Sequence, residues 1–315
     1  MGAELRNRLS WSHSRHETFR SCLRRYYYHY YGSWGGWSTG APPERRRLYL
    51  LKNLKSRYLW AGGIVHEVVA AALTQVRAAG ETAPLPPVSG EEAGEHTVAR
   101  MRREFRLSRS GAYREDPRRV LGLIEHHYAE SVGDAAWQGL AETVRRSVRH
   151  FYAGGHRERL ARVEPGDWLA LEDLQTFPLA GVPVYVKMDV AWRVGGGTVR
   201  IVDWKTGRRP PQPGGRQLAV YALYAAEQWG VTPAQIELRE VNLNLGDEAQ
   251  AGTCAADLVA AREEIAASIA AMRERLVDSE ENRAQVADFP AIPEPRRCHP
   301  CPFREVCPEY QEMSR

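Results

Sequence analysis

Residues 184–207, VYVKMDVAWRVGGGTVRIVDWKTG, decide how the rest of this chain is read. Apolar and polar residues alternate on both sides of Gly195-Gly196-Gly197, so two strands meet at a glycine turn. The second strand ends in Asp203-Trp204-Lys205. Strand side chains repeat every two residues, which puts Asp203 and Lys205 on one face. Asp189 lies on the partner strand and can point to that face. Two carboxylates and an ammonium at a strand end can hold a divalent cation such as Mg²⁺, which takes carboxylate oxygens and keeps positions open for a phosphate. Such an ion generates a hydroxide and stabilises developing charge, while a lysine beside it positions the water or neutralises the phosphate. A surface hairpin with a salt bridge gives the same D-x-K spacing. Asp189 on the neighbouring strand favours the site, and composition adds a second reason. Of 43 Lys and Arg only four are Lys: Lys52, Lys55, Lys187 and Lys205. A chain that uses Arg for generic positive charge keeps Lys where a compact, tunable ammonium is required.

Outward from this hairpin, strand alternation covers 168–177, 182–194, 198–204 and 235–243, with a turn at Gly181-Val182-Pro183. Residues 216–229 read as a helix, on which Gln217 and Tyr221 stand i, i+4 and share a face. That face can reach the lysine or a phosphate, although Tyr221 also suits a core position beside Leu218, Ala222 and Ala225. A further helix spans 255–278. Upstream, a helix over 12–31 opens on an S-x-x-E capping box of Ser14 and Glu17. A second runs from Ala61 to Ala79 with Gly62 and Gly63 in its first turn, and it carries His66 among Ile64, Val65, Val68 and Val69. His66 is either a hydrogen-bonded core histidine or a third metal ligand. Residues 80–90 form a Pro/Gly-rich loop, and 91–107, 117–131 and 138–153 are helical. The chain thus divides into a basic aromatic segment (1–60), the His66 helix (61–80), a helical insertion or lobe (81–165), the strand-bearing core (166–280) and a Cys-rich tail (281–315).

Cys298, Cys301 and Cys307 are spaced C-x2-C-x5-C in that tail. Three thiols so close together argue for a metal rather than a disulfide. Soft thiolates suit zinc or an iron–sulfur cluster, and Cys22, Cys254 or His299 could complete the set.

The chain has 315 residues, 43% hydrophobic and 26% charged, a globular balance. No apolar run approaches the ~20 residues that cross a bilayer, because AGGIVHEVVAAAL at 61–73 is interrupted by His66 and Glu67. The N-terminus has no apolar signal region, so a cytoplasmic protein without a membrane partner is expected. No GxxxxGK stretch is present, which argues against a P-loop motor. Residues 1–60 hold twelve Lys/Arg against three Asp/Glu; the remainder holds 31 against 36. A basic end on a near-neutral body suits a polyanion. Arg24, Arg25, Tyr27 and Trp34 in this end could bind phosphates and stack unpaired bases, or the tyrosines could pack the helix onto the core.

In order, the Cys of RHETFRSCLRRYYYHY, the GGIVHE helix, Asp189, IVDWKTG, QLAVY and the terminal C-x2-C-x5-C resemble the RecB-like branch of the PD-(D/E)XK nuclease superfamily, more narrowly its AddB-like exonucleases with a Cys-ligated [4Fe–4S] cluster. The resemblance runs from about residue 9 to 310, with 80–165 outside any motif. It implies an α/β, restriction-endonuclease-like core, a mixed central sheet flanked by helices. It implies His66, Asp189 and Asp203 as ligands of Mg²⁺ or Mn²⁺, Lys205 as the catalytic lysine, and Gln217 and Tyr221 in support. It further implies that Cys22, Cys298, Cys301 and Cys307 hold the cluster and staple the two ends of the chain. The implied substrate is single-stranded DNA or DNA ends, in repair, recombination or defence, with a helicase or other subunit as a separate chain. The family often has a glycine shortly before the motif Asp, where this chain has Val186-Lys187-Met188. Two other readings are a non-catalytic DNA-binding or scaffold subunit and a zinc-stabilised nucleic-acid-binding protein.

Overall fold

A computed structural model describes residues 5–80 and 87–313, so part of the expected 80–90 loop lies outside the described residues. Trp11 joins the structure first. It adds to the edge of a later strand through Trp11 N–H to Pro183 O and Tyr185 N–H to Trp11 O, and its ring is fully buried. α1 (His13–Ser21) follows, capped by the side chain of Ser12 rather than by Ser14. The expected single helix over 12–31 is broken at Cys22, whose backbone is extended. It continues as α2 (Leu23–Tyr27) and a π-helical turn, Tyr28–Gly32. The break takes Cys22 off the helical line and toward the C-terminal tail.

α3 (Pro43–Lys52) leads to α4 (Arg57–Ala79). Ser56 caps α4, so it starts a turn earlier than expected and Gly62 and Gly63 fall in its second turn. By length and composition α4 could cross a membrane. Here its Ile64, Val65, Val69, Leu73 and Val76 are buried against other helices and the sheet, each such side chain contributing roughly 1.5–3 kcal/mol. Next come α5 (Gly90–Ser110), α6 (Ile124–His127), α7 (Asp134–Ala153) and α8 (His156–Leu160). The helix expected over 117–131 shrinks to α6 because tertiary contacts override propensity. The backbone of Lys55 inserts between Gly122 O and Ile124 N, and a Cβ on Gly122 would stand 2.7 Å from Leu54 and Tyr113. Val144, Val148 and Phe151 of α7 share a core with α4 and the sheet, so these helices form one layer with the His66 helix.

The strands are β1 (Trp168–Leu171), β2 (Leu174–Leu179), β3 (Val182–Lys187), β4 (Val190–Val194) and β5 (Thr198–Lys205). After α9 (Arg216–Gln228) come β6 (Ile236–Asn242) and β7 (Asp247–Gly252). The central sheet has five strands in the order β1-β4-β5-β6-β7 and is mixed: β5 and β6 are parallel across α9, and the other neighbours are antiparallel. This is the expected sheet of a restriction-endonuclease-like core. Each of the two long strands expected over 168–177 and 182–194 is instead broken in two. β2 and β3 leave the sheet together as a separate ribbon, turned at Ala180-Gly181, both at positive φ. β7 is an edge strand that its polar sequence, DEAQAG, does not announce. α10 (Ala255–Arg273) stops five residues short of its expected end, in a tight turn in which Asp278 and Arg283 pair. α9 and α10 cover the sheet face that carries Val199 and Ile201, while α4 and α7 cover the face that carries Val202 and Trp204. α11 (Pro295–Cys298) and α12 (Pro308–Met313) belong to the tail.

Candidate active site

The register of β4 and β5 pairs Val190 with Val202, so the next step outward sets Asp189 against Asp203 at the strand ends. Asp189 is fastened on both oxygens. Oδ2 accepts the Trp204 N–H at 2.6 Å, and Oδ1 faces His66 Nδ1, which reaches over from α4, at 3.1 Å. Asp203, only 2% exposed, has Oδ2 lying 2.5 Å from Lys205 Nζ in an ion pair outside hydrogen-bond alignment. Lys205 donates to Gln217 Oε1 at 3.1 Å, Gln217 Nε2 donates to the Tyr221 hydroxyl at 2.8 Å, and that hydroxyl donates to Lys187 O at 2.6 Å. The i, i+4 pair on α9 therefore spans from the lysine to the end of β3. His66, Asp189, Asp203, Lys205, Gln217 and Tyr221 all come together.

One residue of this site escapes a reading by alternation. Glu172 sits where β1 breaks from β2, at φ +56, a left-handed conformation unfavourable for a side chain by roughly 1 kcal/mol. Its N–H is held by Met188 O and Asp189 O at 3.0 and 3.2 Å, so the two strand breaks are locked side by side. Its carboxylate lies 3.8 Å from His66 Nδ1 and 2.5 Å from Lys187 Nζ. The signal was present: Glu172-Asp173 interrupts the apolar alternation of WLAL and LQTF, and Lys187 is one of the four lysines.

The electrostatics show a surplus of negative charge. Burial, then the neighbouring Asp189, push the Asp203 carboxyl up to about 6 against the pull of Lys205. Burial alone would lower the His66 pKa, but the hydrogen bonds and charges of Asp189 and Glu172 outweigh it and lift it to about 10. One ligand atom each from His66, Glu172 and Asp189 lie within 4.8 Å of one another. Carboxylates with an imidazole suit a hard divalent cation, and such an ion relieves the same surplus that raises both His66 and Asp203.

The model of the PD-(D/E)XK nuclease superfamily matches residues 10–308. The chain belongs to this superfamily. Membership implies a nuclease, with DNA as the implied substrate and Mg²⁺ or Mn²⁺ as the usual ion. No curated protein matches the chain.

A second constellation of this PD-(D/E)XK chain lies at its ends. Cys22, Cys298, Cys301 and Cys307 line one cavity with Arg24, Arg25 and Phe303, and all are free thiols. Burial raises the Cys301 thiol and lifts that of Cys307 to about 11. Cys254 is elsewhere, exposed at the N-cap of α10. The tail is tied down around this cavity: Tyr28 OH donates to Val306 O, Tyr128 OH to Pro302 O, and Arg304 lies 3.8 Å over the Tyr128 ring while pairing with Glu130.

The basic aromatic segment folds against the same tail. Arg24 pairs with Glu309 at 3.0 Å and donates to Phe289 O. Arg25 faces the cysteine cavity, and its buried Nε has no hydrogen-bond partner among the described residues. Tyr27 packs on Phe289, and Tyr27 and Trp34 line an open cleft with Tyr31 and Arg45. Tyr26 is fully buried.

Proposed function

We propose that this chain is a metal-dependent deoxyribonuclease of the RecB-like branch, acting on single strands or ends as an exonuclease. The observation that supports this most directly is two bonded runs that meet where β4 and β5 end: His66–Asp189, with Asp189 tied to the Trp204 N–H, and Asp203–Lys205–Gln217–Tyr221. His66, Asp189 and Asp203, with Glu172 beside them, would hold Mg²⁺ or Mn²⁺. When bound, the ion supplies a Lewis acid for the phosphate and lowers the pKa of a water. Asp203 and Gln217 hold the Lys205 ammonium at the site, where it can orient the attacking water or neutralise the departing charge. Tyr221 fixes Gln217, and through Lys187 O it ties the end of β3 to the same network. Lys187 and Glu172 hold each other at the opposite side.

In the same reading Cys22, Cys298, Cys301 and Cys307 take a [4Fe–4S] cluster that staples the chain ends. Three features support it: four thiols on one cavity, arginines around it and a tail anchored at both sides. The cleft with Tyr27 and Trp34 is a second place where DNA could lie. The chain would work in the cytoplasm, away from membranes, in repair, recombination or defence, with a helicase as a separate partner.

The test is cleavage of end-labelled single-stranded DNA by anaerobically purified protein with Mn²⁺ or with EDTA. Metal-dependent cleavage that Lys205→Ala abolishes is the expected result. A folded wild-type protein that binds DNA and never cuts it would overturn the enzymatic reading in favour of a scaffold subunit. Iron and sulfide assays on the same preparation test the cluster: stoichiometric zinc in a colourless protein would replace it.

A further inference from the structure

One exposed face of α4 runs out of the site described above. Tyr58, Gly62 and His66 follow one another at four-residue spacing, with Leu59, Gly63 and Glu67 beside them. The buried residues of α4 (Trp60, Ala61, Ile64, Val65) belong to the other side of the helix. At its far end, about 12 Å from His66 by helix rise, Tyr58 and Leu59 are each 64% exposed. Their rings and methyl groups are thus open to a ligand beside the polar site.

The tyrosine is already part of a stack. Arg57 donates to the Tyr58 hydroxyl at 2.9 Å, with its guanidinium carbon 4.7 Å from the Tyr58 ring centre and 5.8 Å from that of Trp137. Trp137 in turn packs edge-on against Phe105. Between this stack and His66 the helix carries two glycines. A Cβ on Gly62 would meet Thr206 Oγ1, the residue after Lys205, at 3.1 Å, and one on Gly63 would meet nothing within 4 Å. The helix surface is therefore a shallow saddle that opens at one end onto the carboxylates and at the other onto the aromatic stack. Lys55 lines a cavity with Gly63, and Arg57 lies on Tyr58; among the described residues neither side chain forms an ion pair with a carboxylate.

We propose that this saddle is the path of the unpaired DNA strand: its backbone crosses Gly62 and Gly63 while a base a few nucleotides from the scissile phosphate stacks on Tyr58, with Leu59 at its edge. The occupant follows from the chemistry. A flat ring backed by a guanidinium suits a base face, unpaired cations suit a phosphodiester backbone, and the path is continuous with the phosphate site. A duplex keeps its bases stacked on one another and gains nothing from a single protruding ring. The inference rests on the nuclease reading and adds a path for its unpaired strand and a residue on which a base stacks.

The test is fluorescence anisotropy in EDTA, where no turnover occurs, with the full chain, fluorescein-labelled oligothymidine and a labelled blunt duplex. Tyr58→Ala is expected to weaken single-strand binding by about tenfold and the duplex much less, and Tyr58→Phe is expected to restore single-strand binding. Gly63→Leu is expected to raise the unfolding temperature, because it replaces a helical glycine in open space, and yet to weaken single-strand binding. Single-strand affinity equal to wild type in Tyr58→Ala, or in a stabilised Gly63→Leu, overturns the path while leaving the nuclease intact. A wild-type protein that neither binds single strands nor cuts them with Mn²⁺ overturns the nuclease reading and the path together.

Discussion

The carboxylate site and the cysteine cavity are built in opposite ways. Asp189, Asp203, Lys205, Gln217 and Tyr221 come from neighbouring strands and the helix that follows, and every one of them is held by another of the set or by nearby backbone. The cysteine cavity joins the two ends of the chain. Among its thiols, the contacts within the described residues are slight, with Cys298 Sγ accepting from Glu294 N–H and Cys307 lying near Glu309. A site framed by strand register keeps its geometry without its ion. At the cysteine cavity a bound group, in the reading proposed above, would offset the buried thiolates and add to the ties that Tyr28, Tyr128, Arg24 and Arg304 already make across that long loop.

The sharpest way to break this comparison is to remove one group from each site. Lys205→Ala is expected to lower the cleavage rate by about two to three orders of magnitude while leaving the melting temperature little changed. Retained cleavage would take Lys205 out of the chemistry. Cys301→Ser is expected to do the reverse, lowering the melting temperature by several degrees and exposing the tail to limited proteolysis. A variant as stable as wild type would show that the ends hold without a shared group. Glu172→Gln comes next. If Glu172 assists the ion, the variant should need about ten- to a hundredfold more Mn²⁺ for half-maximal cleavage; an unchanged metal titration would restrict Glu172 to holding Lys187.

Smaller effects follow from groups outside both sites. Burial against Phe151 and Trp204 pushes His156 down to about 4 from its ordinary 6.5. The unfolded chain takes up this proton near pH 6.5 and the folded chain only near pH 4. The stabilisation is therefore complete above pH 6.5 and is lost progressively as pH falls toward 4, by at most about 3 kcal/mol. Urea unfolding of His156→Gln across that range should show a flatter acid limb; an unaltered slope would assign the acid sensitivity to other groups. Smallest of all, Tyr221→Phe removes a hydroxyl that accepts from Gln217 and donates to Lys187 O. It should change the rate only a few-fold, with a loss of about 1 kcal/mol in stability.

Much of the candidate site was legible because it rests on periodicity. The two-residue repeat puts Asp203 beside Lys205, the glycine turn sets the β4–β5 register, and the helical repeat puts Gln217 beside Tyr221. What alternation hid was where strands change sheet. Strand-like residues resume directly after each break, so the short interruptions at Glu172-Asp173 and Met188-Asp189 read as parts of longer strands and not as places where the chain changes sheet. Glu172 was hidden with them, since its role depends on a left-handed backbone locked against Met188 and Asp189. The shrunken α6 has a similar origin: the intruding Lys55 backbone comes from nearly seventy residues away.

The sequence alone thus determined the local chemistry: which residue types stand two or four apart, and hence which side chains share a strand or helix face. The tertiary structure decided what those faces meet. It brought His66 over the strand end from α4, folded the two strand breaks against each other to deliver Glu172, and carried Cys22 to the tail. Contacts between distant segments arise from packing a shared core, and no short-range repeat in the chain encodes them.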